Sequence, residues 1–138
     1  MPELLTPALR AGMKNTRLSY NAAVVLRAAT RKLSADRLAP YLAHLATRDP
    51  LVLFKMIESM RDHSAADLLP ELVTPLLILA GRQDAFTPPA TQQKMHELAP
   101  GSEIVWFDEA GHCLPLEEPD AVIRAIEKFL GKIEATDA

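Results

Sequence analysis

The sequence predicts an α/β fold in which a helical first half precedes a strand–helix–strand–helix unit with parallel strands. Glycine gives the first indication, because Gly12 is the only glycine before Gly81 and the other glycines all lie in the second half. Packed helices need few tight turns, whereas alternating strands and helices need many. The second indication is the apolar run at residues 76–80, which stops at a glycine as a strand buried in a parallel sheet does.

The composition is that of an ordinary folded domain and excludes several classes of function. The chain has 138 residues, of which 49% are hydrophobic and 24% charged. Its net charge of −3 argues against a nucleic-acid partner, which requires a basic face. A single cysteine, Cys113, leaves no disulfide framework and no cysteine-based zinc cluster. The apolar runs are too short to span a bilayer and no signal pattern is present, so we expect no membrane partner and a cytoplasmic location.

The first half is predicted to contain three helices and a short link. Residues 22–33 are rich in helix formers. Residues 36–46 repeat leucine and tyrosine at helical spacing, with Pro40 expected in the first turn. Asp49 and Pro50 suit the N-cap and first position of a third helix. One face of that helix carries apolar side chains: Leu53, Ile57 and Met60. A short helix or turn at residues 64–72 is expected to lead into the second half.

The second half is predicted to alternate strand and helix. After the strand at residues 76–80, Thr87 offers an N-cap hydroxyl for a helix that stops at Pro100 and Gly101. Residues 104–107 form the second strand, and the last helix is expected to run from Pro119 to Gly131. Its core stripe is predicted to consist of four side chains: Val122, Ile126, Phe129 and Leu130. Short links between these elements favour a right-handed parallel crossover.

An acid and a histidine follow the two predicted strands. Asp84 comes just after the first strand and His112 just after the second. Adjacent parallel strands lie about 5 Å apart, and functional groups gather beyond their carboxyl ends. We therefore expect a hydrogen bond between Asp84 and an imidazole nitrogen of His112. A carboxylate in that position fixes the tautomer and leaves the other nitrogen to accept a proton from a nucleophile.

Residues 74–130 resemble the C-terminal end of an α/β-hydrolase. The resemblance is carried by Thr-Pro-Leu-Leu-Ile-Leu-Ala-Gly-Arg-Gln-Asp, Thr-Pro-Pro, Ala-Gly-His-Cys, Glu-Glu-Pro and Phe-Leu, in that order. It implies that Asp84 is the triad acid and His112 the triad base, with no metal or organic cofactor. Residues 1–70 resemble, more loosely, the helical cap of that family, and residues 71–138 its C-terminal core segment. The fold class is therefore a partial α/β-hydrolase fold.

The nucleophile of that family has no counterpart in the chain, because no Gly-x-Ser-x-Gly occurs. The resemblance implies the C-terminal half of a hydrolase that acts by acyl transfer on an ester, amide or related bond. Such a half is expected to be inactive alone, whether it comes from a truncated gene model, a fragment or a separately encoded piece. A family member with an aspartate nucleophile or one that cleaves carbon–carbon bonds remains open, and so does a non-catalytic module that binds a ligand or a protein.

Other chemically capable residues have simpler interpretations. Cys113 adjoins His112, but side chains of adjacent residues diverge, and a small buried residue is favoured. Asp108 and Glu109 fit a solvated loop, and Ser64 is not on a strand-to-helix elbow. Three further histidines lack partners at metal-ligand spacing: His44, His63 and His96.

The expected partners follow from the resemblance and from the missing half. A hydrolase acts on a small-molecule substrate, and Leu53, Met56 and Met60 would suit an apolar portion of it if the first half is a cap, although packing between helices explains them equally well. The first strand would lack a neighbour on one side and expose unpaired backbone groups. We therefore expect the isolated chain to self-associate or to bind an N-terminal hydrolase half.

Overall fold

The computed structural model describes residues 11–61 and 63–136, and places helices before a short parallel sheet. The elements in chain order are α1 (Thr16–Val25), α2 (Ala35–Leu45), α3 (Pro50–Arg61), a 3₁₀ turn (Leu69–Glu71), β1 (Leu77–Gly81), α4 (Pro89–Leu98), β2 (Glu103–Phe107), α5 (Leu114–Glu117) and α6 (Pro119–Thr136). None of the helices in these two ranges combines the length and apolar character that crossing a membrane requires.

Side-chain caps begin helices α1, α2 and α3. The side chain of Asn15 accepts from Leu18 N at the start of α1, and that of Ser34 accepts from Arg37 N at the start of α2. Asp49 Oδ1 accepts from Leu51 N at 2.9 Å, which confirms the predicted start of α3. Each cap satisfies an N–H that has no partner within its helix.

The prediction of one helix over residues 22–33 is wrong. Helix α1 ends at Val25, and Arg27 takes a left-handed conformation with φ of 56°. The turn that follows buries Ala29 and Leu33 against Leu38. Burial of these side chains outweighs the local helix propensity of the segment, which is only a few tenths of a kcal/mol per residue.

Helices α2, α4 and α6 also differ from the sequence prediction. Pro40 is the sixth residue of α2 rather than part of its first turn. Helix α4 has Pro88 as its N-cap residue, without a side-chain cap, so Thr87 does not play that role. Helix α6 passes through Gly131 to Thr136. A glycine inside a helix costs only about 1 kcal/mol, and Lys132 in this part of α6 pairs with Glu103 on β2 at 2.5 Å.

The two described strands pair in parallel, as predicted. Leu77 is in register with Glu103 and Gly81 with Phe107, so both strands end at the same edge of the sheet. The crossover between them consists of α4 and its two links. This topology carries the chain segments after Gly81 and after Phe107 to one place.

Two groups of buried side chains hold the described part together. One lies in the helical half: Ala29, Leu33, Leu38 and Leu42. The other lies beside the sheet: Phe107, Ala110, Leu114 and Val122. Cys113 and Leu116 pack against the first group, although they follow β2 in sequence. The segment that follows β2 therefore joins the helical half to the sheet.

Candidate active site

A close approach of backbone joins the segments that follow the two strands. Arg82 N donates to Phe107 O at 3.0 Å and Gln83 N donates to Ala110 O at 2.9 Å. A Cβ added to Gly81 would lie 2.6 Å from Ala110 O, which is closer than a side chain permits. Glycine at this position therefore allows the two loops to meet.

Asp84 is buried and accepts three hydrogen bonds. Its Oδ1 accepts from the backbone N–H groups of Phe86 at 2.8 Å and Thr87 at 2.9 Å. Its Oδ2 contacts Nδ1 of His112 at 3.0 Å. The Asp84 side chain is 8% exposed and that of His112 is 49% exposed. The two turn N–H groups hold the carboxylate in place, so that its second oxygen faces the imidazole.

The predicted contact between Asp84 and His112 is confirmed. An ionised carboxylate only accepts hydrogen bonds, so Nδ1 of His112 is the donor. Proton exchange with a substrate or nucleophile is then left to Nε2. The Phe86 ring lies 5.2 Å from the imidazole, centroid to centroid, at an angle of 33°, and restricts the positions that the imidazole can take.

A cavity of about 270 Å³ opens beside the pair. Asp84, Gly81 and His112 line it together with apolar side chains from β1, α4 and α5: Ile78, Leu79, Met95 and Leu114. A larger cavity of about 580 Å³ lies between residues 63–69 and α4, and its lining includes neither member of the pair. We assign the site to the smaller cavity because it alone of the two contains an acid–base pair.

Two buried polar residues near the pair were not assigned a role from sequence. Gln92 of α4 donates through Nε2 to Thr87 O at 2.5 Å, behind the turn that holds Asp84. Glu117 accepts from the backbone N–H of Gly111 at 2.6 Å and from that of Thr30. Glu117 belongs to the Glu-Glu-Pro segment of the resemblance, but its hydrogen bond to Thr30, 87 positions away in sequence, has no local signal.

The remaining sequence candidates lie apart from this chemistry. Burial raises the pKa of the Cys113 thiol, and the charges of Glu117 and Asp84 add to that effect, so Cys113 is poorly suited to act as a thiolate. Asp108 pairs with Arg82 at 2.7 Å, and Glu109 pairs with Lys32 at 2.5 Å. Both are surface contacts.

The other histidines and Ser64 are also separate from the pair. His96 Nδ1 contacts Ser102 Oγ at 2.8 Å, and His44 Nε2 contacts Arg48 at 2.6 Å. Ser64 Oγ accepts from Ala66 N at 3.3 Å, and both Ser64 and His63 line the larger cavity. Within residues 11–61 and 63–136, no cluster of three or more His, Cys, Asp or Glu side chains is arranged to hold a metal ion.

The profile of the alpha/beta hydrolase family matches residues 3–125. The chain belongs to this family. A pimeloyl-[acyl-carrier protein] methyl ester esterase from Vibrio vulnificus is 29% identical over 84 residues, which are 61% of this chain and 33% of that enzyme. The chain thus spans about a third of the length of this curated relative.

Solved structures of family members share the fold. An esterase from Exiguobacterium antarcticum has a TM-score of 0.67 at 21% identity. The match covers 91% of this chain and 47% of the esterase chain. The enol-lactonase from Burkholderia xenovorans has a TM-score of 0.65 at 23% identity and matches 94% of this chain and 51% of its own. These matches confirm a partial α/β-hydrolase fold that corresponds to about half of each enzyme.

Proposed function

We propose that this chain carries the acid and the histidine of a serine-type ester hydrolase whose nucleophile belongs to a segment outside these 138 residues. The observation that carries the proposal is the hydrogen bond of 3.0 Å between His112 Nδ1 and Asp84 Oδ2 at the carboxyl ends of two parallel strands. Membership of the alpha/beta hydrolase family supports hydrolysis as the general class of reaction. The esterase activity named for the Vibrio vulnificus relative favours a carboxylic ester as the substrate class.

Four proton transfers would pass through Nε2 of His112 in this reaction, two in each half. Nε2 of His112 takes the proton from the serine hydroxyl as its oxygen bonds to the ester carbonyl carbon, and gives it to the departing alkoxide. Water then attacks the acyl-serine, with the same nitrogen first as base and then as acid. Asp84 keeps the proton on Nδ1 throughout and stabilises the imidazolium that forms. The apolar lining from Ile78, Leu79 and Leu114 suits an apolar part of the substrate beside the bond that is cleaved.

A first experiment tests whether the nucleophile lies outside the chain. The purified chain is assayed with p-nitrophenyl acetate and labelled with a fluorophosphonate. We expect no saturable turnover beyond the background of an exposed imidazole, and no stoichiometric label. Saturable turnover that His112→Ala abolishes, together with stoichiometric labelling, would show that a serine within the chain is the nucleophile.

A second experiment tests the catalytic role of the pair. The N-terminal half of the Exiguobacterium antarcticum esterase is fused to the chain to supply a nucleophile. The structural match with that esterase covers 91% of this chain and 47% of the esterase. We expect ester hydrolysis that His112→Ala abolishes and Asp84→Asn reduces by about 10⁴-fold, as when the orienting carboxylate of a serine protease is replaced. Glu118→Gln is the control and should retain activity. An active fusion that tolerates His112→Ala would contradict the proposal.

A non-catalytic binding module is the second candidate. The observation that favours it is the cavity of about 580 Å³ away from the pair, lined in part by Ala65, Leu69, Met95 and Leu98. Its volume is in the range of small-molecule sites. A small apolar dye such as ANS, titrated into the isolated chain, should bind with an affinity that Ala66→Trp lowers and His112→Ala leaves unchanged if this candidate is right.

A further inference from the structure

Glu117 is a buried carboxylate outside the acid–histidine pair. It ends the short helix α5 and is 8% exposed. Its Oε2 accepts from Gly111 N at 2.6 Å, and its Oε1 accepts from Thr30 N. A carboxylate is retained in such a place only when hydrogen bonds replace its lost hydration. Here each oxygen accepts from one backbone N–H group. The two donors, Gly111 and Thr30, lie far apart in sequence.

Contacts with Glu117 and with the turn at residues 26–33 hold the backbone on both sides of His112. Gly111, which donates to Glu117, directly precedes the histidine. Cys113, which directly follows it, donates its N–H to Ala28 O at 3.1 Å. The turn at residues 26–33 thus contacts the loop between β2 and α5 (residues 108–113, the histidine loop) directly at Ala28 and through Glu117 at Thr30. A side chain can keep a hydrogen bond of 3.0 Å only when the backbone that carries it is fixed to a fraction of an ångström.

The surface contacts beside this arrangement are of a different kind. Lys32 Nζ bonds Glu118 Oε1 at 3.1 Å and Glu109 Oε2 at 2.5 Å. The Lys32 and Glu109 side chains are 43% and 67% exposed, so solvent screens their pairing. Glu118 neighbours Glu117 in sequence and also carries a carboxylate, but it does not contact the backbone of the histidine loop. The two glutamates therefore differ in contact and burial rather than in charge.

We propose that Glu117 is a positioning residue for His112: its carboxylate fixes the Gly111 backbone against the Thr30 turn, and so directs the imidazole toward Asp84. Its importance for catalysis rests on the proposed function, since it acts through the histidine. The positioning itself can be measured without turnover. Glu117→Gln removes the arrangement because one amide oxygen can accept from only one of the two sites, while the amide NH₂ faces the other N–H group.

The experiment measures the tautomer of His112 in the full 138-residue chain. Protein labelled with ¹⁵N-histidine gives separate ring-nitrogen signals for its histidines, and that of His112 is assigned by its loss in His112→Gln. The wild-type chain should show His112 with the proton on Nδ1. In Glu117→Gln the ratio of the Nδ1–H to the Nε2–H form should fall about tenfold, the size expected for loss of one charge-assisted hydrogen bond. The Gly111 amide proton should shift upfield in the same variant.

Matched variants separate positioning from loss of the fold. Glu118→Gln should leave both signals unchanged, and Asp84→Asn should change the His112 tautomer while the Gly111 amide stays in place. Glu117→Asp keeps the charge on a shorter side chain and should give an intermediate tautomer ratio. If Glu117→Gln does not fold, the tautomer ratio of Glu117→Asp tests the proposal in its place. A wild-type tautomer ratio in the folded Glu117 variants would overturn the proposal. An inactive fusion with normal tautomer shifts would instead count against the proposed function alone.

Discussion

The Asp84 carboxylate has two roles, because one oxygen accepts from the turn N–H groups and the other binds the histidine. Replacement by alanine should leave the N–H groups of Phe86 and Thr87 without their acceptor in a partly buried place. We expect Asp84→Ala to lower the free energy of unfolding by about 2–3 kcal/mol. Asp84→Asn keeps one oxygen for the turn and should cost less. Urea unfolding followed by circular dichroism measures both.

Asp108 provides the control for this prediction. Its carboxylate pairs with Arg82 in solvent, and its side chain is 80% exposed. Exposed ion pairs contribute at most about 1 kcal/mol, so Asp108→Asn should have a small effect. Equal destabilisation by Asp84→Ala and Asp108→Asn would mean that the buried turn contacts of Asp84 carry no special weight.

Cys113 should react slowly at neutral pH. Desolvation raises the pKa of its thiol, and the nearby charges of Glu117 and Asp84 act in the same direction. The thiolate fraction at a given pH is therefore lower in the folded chain than in the unfolded one. Alkylation by iodoacetamide should have its pH midpoint at a higher pH in the native chain than in urea. Identical midpoints would show that the folded surroundings do not affect the thiol.

Gly81 and Gly131 differ in the space that a side chain would have. A Cβ on Gly81 would meet the backbone oxygens of Ala110 at 2.6 Å and Gly111 at 2.7 Å, whereas nothing lies within 4 Å of a Cβ on Gly131. Backbone cannot move aside as a flexible side chain can. Gly81→Ala should therefore separate the two loops and destabilise the chain by about 1–3 kcal/mol.

Gly131→Ala is the matched substitution in an open position. Gly131 lies inside α6, where alanine is favoured over glycine by about 1 kcal/mol. We expect a small gain in melting temperature for Gly131→Ala and a loss for Gly81→Ala, with weakening of the His112–Asp84 contact in the latter alone. A neutral Gly81→Ala variant with the wild-type His112 tautomer would contradict the role of this close approach.

The described part of the molecule exposes much apolar surface. Helix α3 exposes Phe54 (57%), Ile57 (57%) and Met60 (70%), and Val73 before β1 is 95% exposed. Each described strand has a single partner in the sheet formed by residues 11–61 and 63–136. Contiguous apolar surface and open strand edges both promote association. We therefore predict that the isolated chain self-associates or binds a complementary hydrolase half.

Analytical ultracentrifugation combined with thermal unfolding tests this prediction. Wild-type chain should sediment as more than one species at micromolar concentration, and Ile57→Lys should shift the distribution toward monomer. Lys55→Gln, on the same helix, is the control and should not. A monodisperse monomer with a sharp, cooperative unfolding transition would mean that these surfaces need no partner.

The expected core stripe of α6 shows where sequence patterns stop being sufficient. Val122 is buried as predicted, but Ile126 is 39% exposed and Leu130 is 50% exposed. Helical periodicity identifies which side chains share a face. It does not identify whether another element covers that face, because the covering residues come from elsewhere in the chain or from another chain.

The sequence by itself determined the order of β1, α4, β2 and α6 in the second half, the family, and the placement of Asp84 and His112 after successive strands, but not the short helix α5. These properties follow from local signals: apolar runs that stop at glycine, prolines at helix starts and a motif with fixed spacing. The tertiary structure alone decided that α1 ends at Val25 and that Glu117 joins Gly111 to Thr30. The first depends on burial of Ala29 and Leu33 against Leu38, and the second on a hydrogen bond between segments far apart in sequence. In both cases tertiary contacts outweigh local propensity.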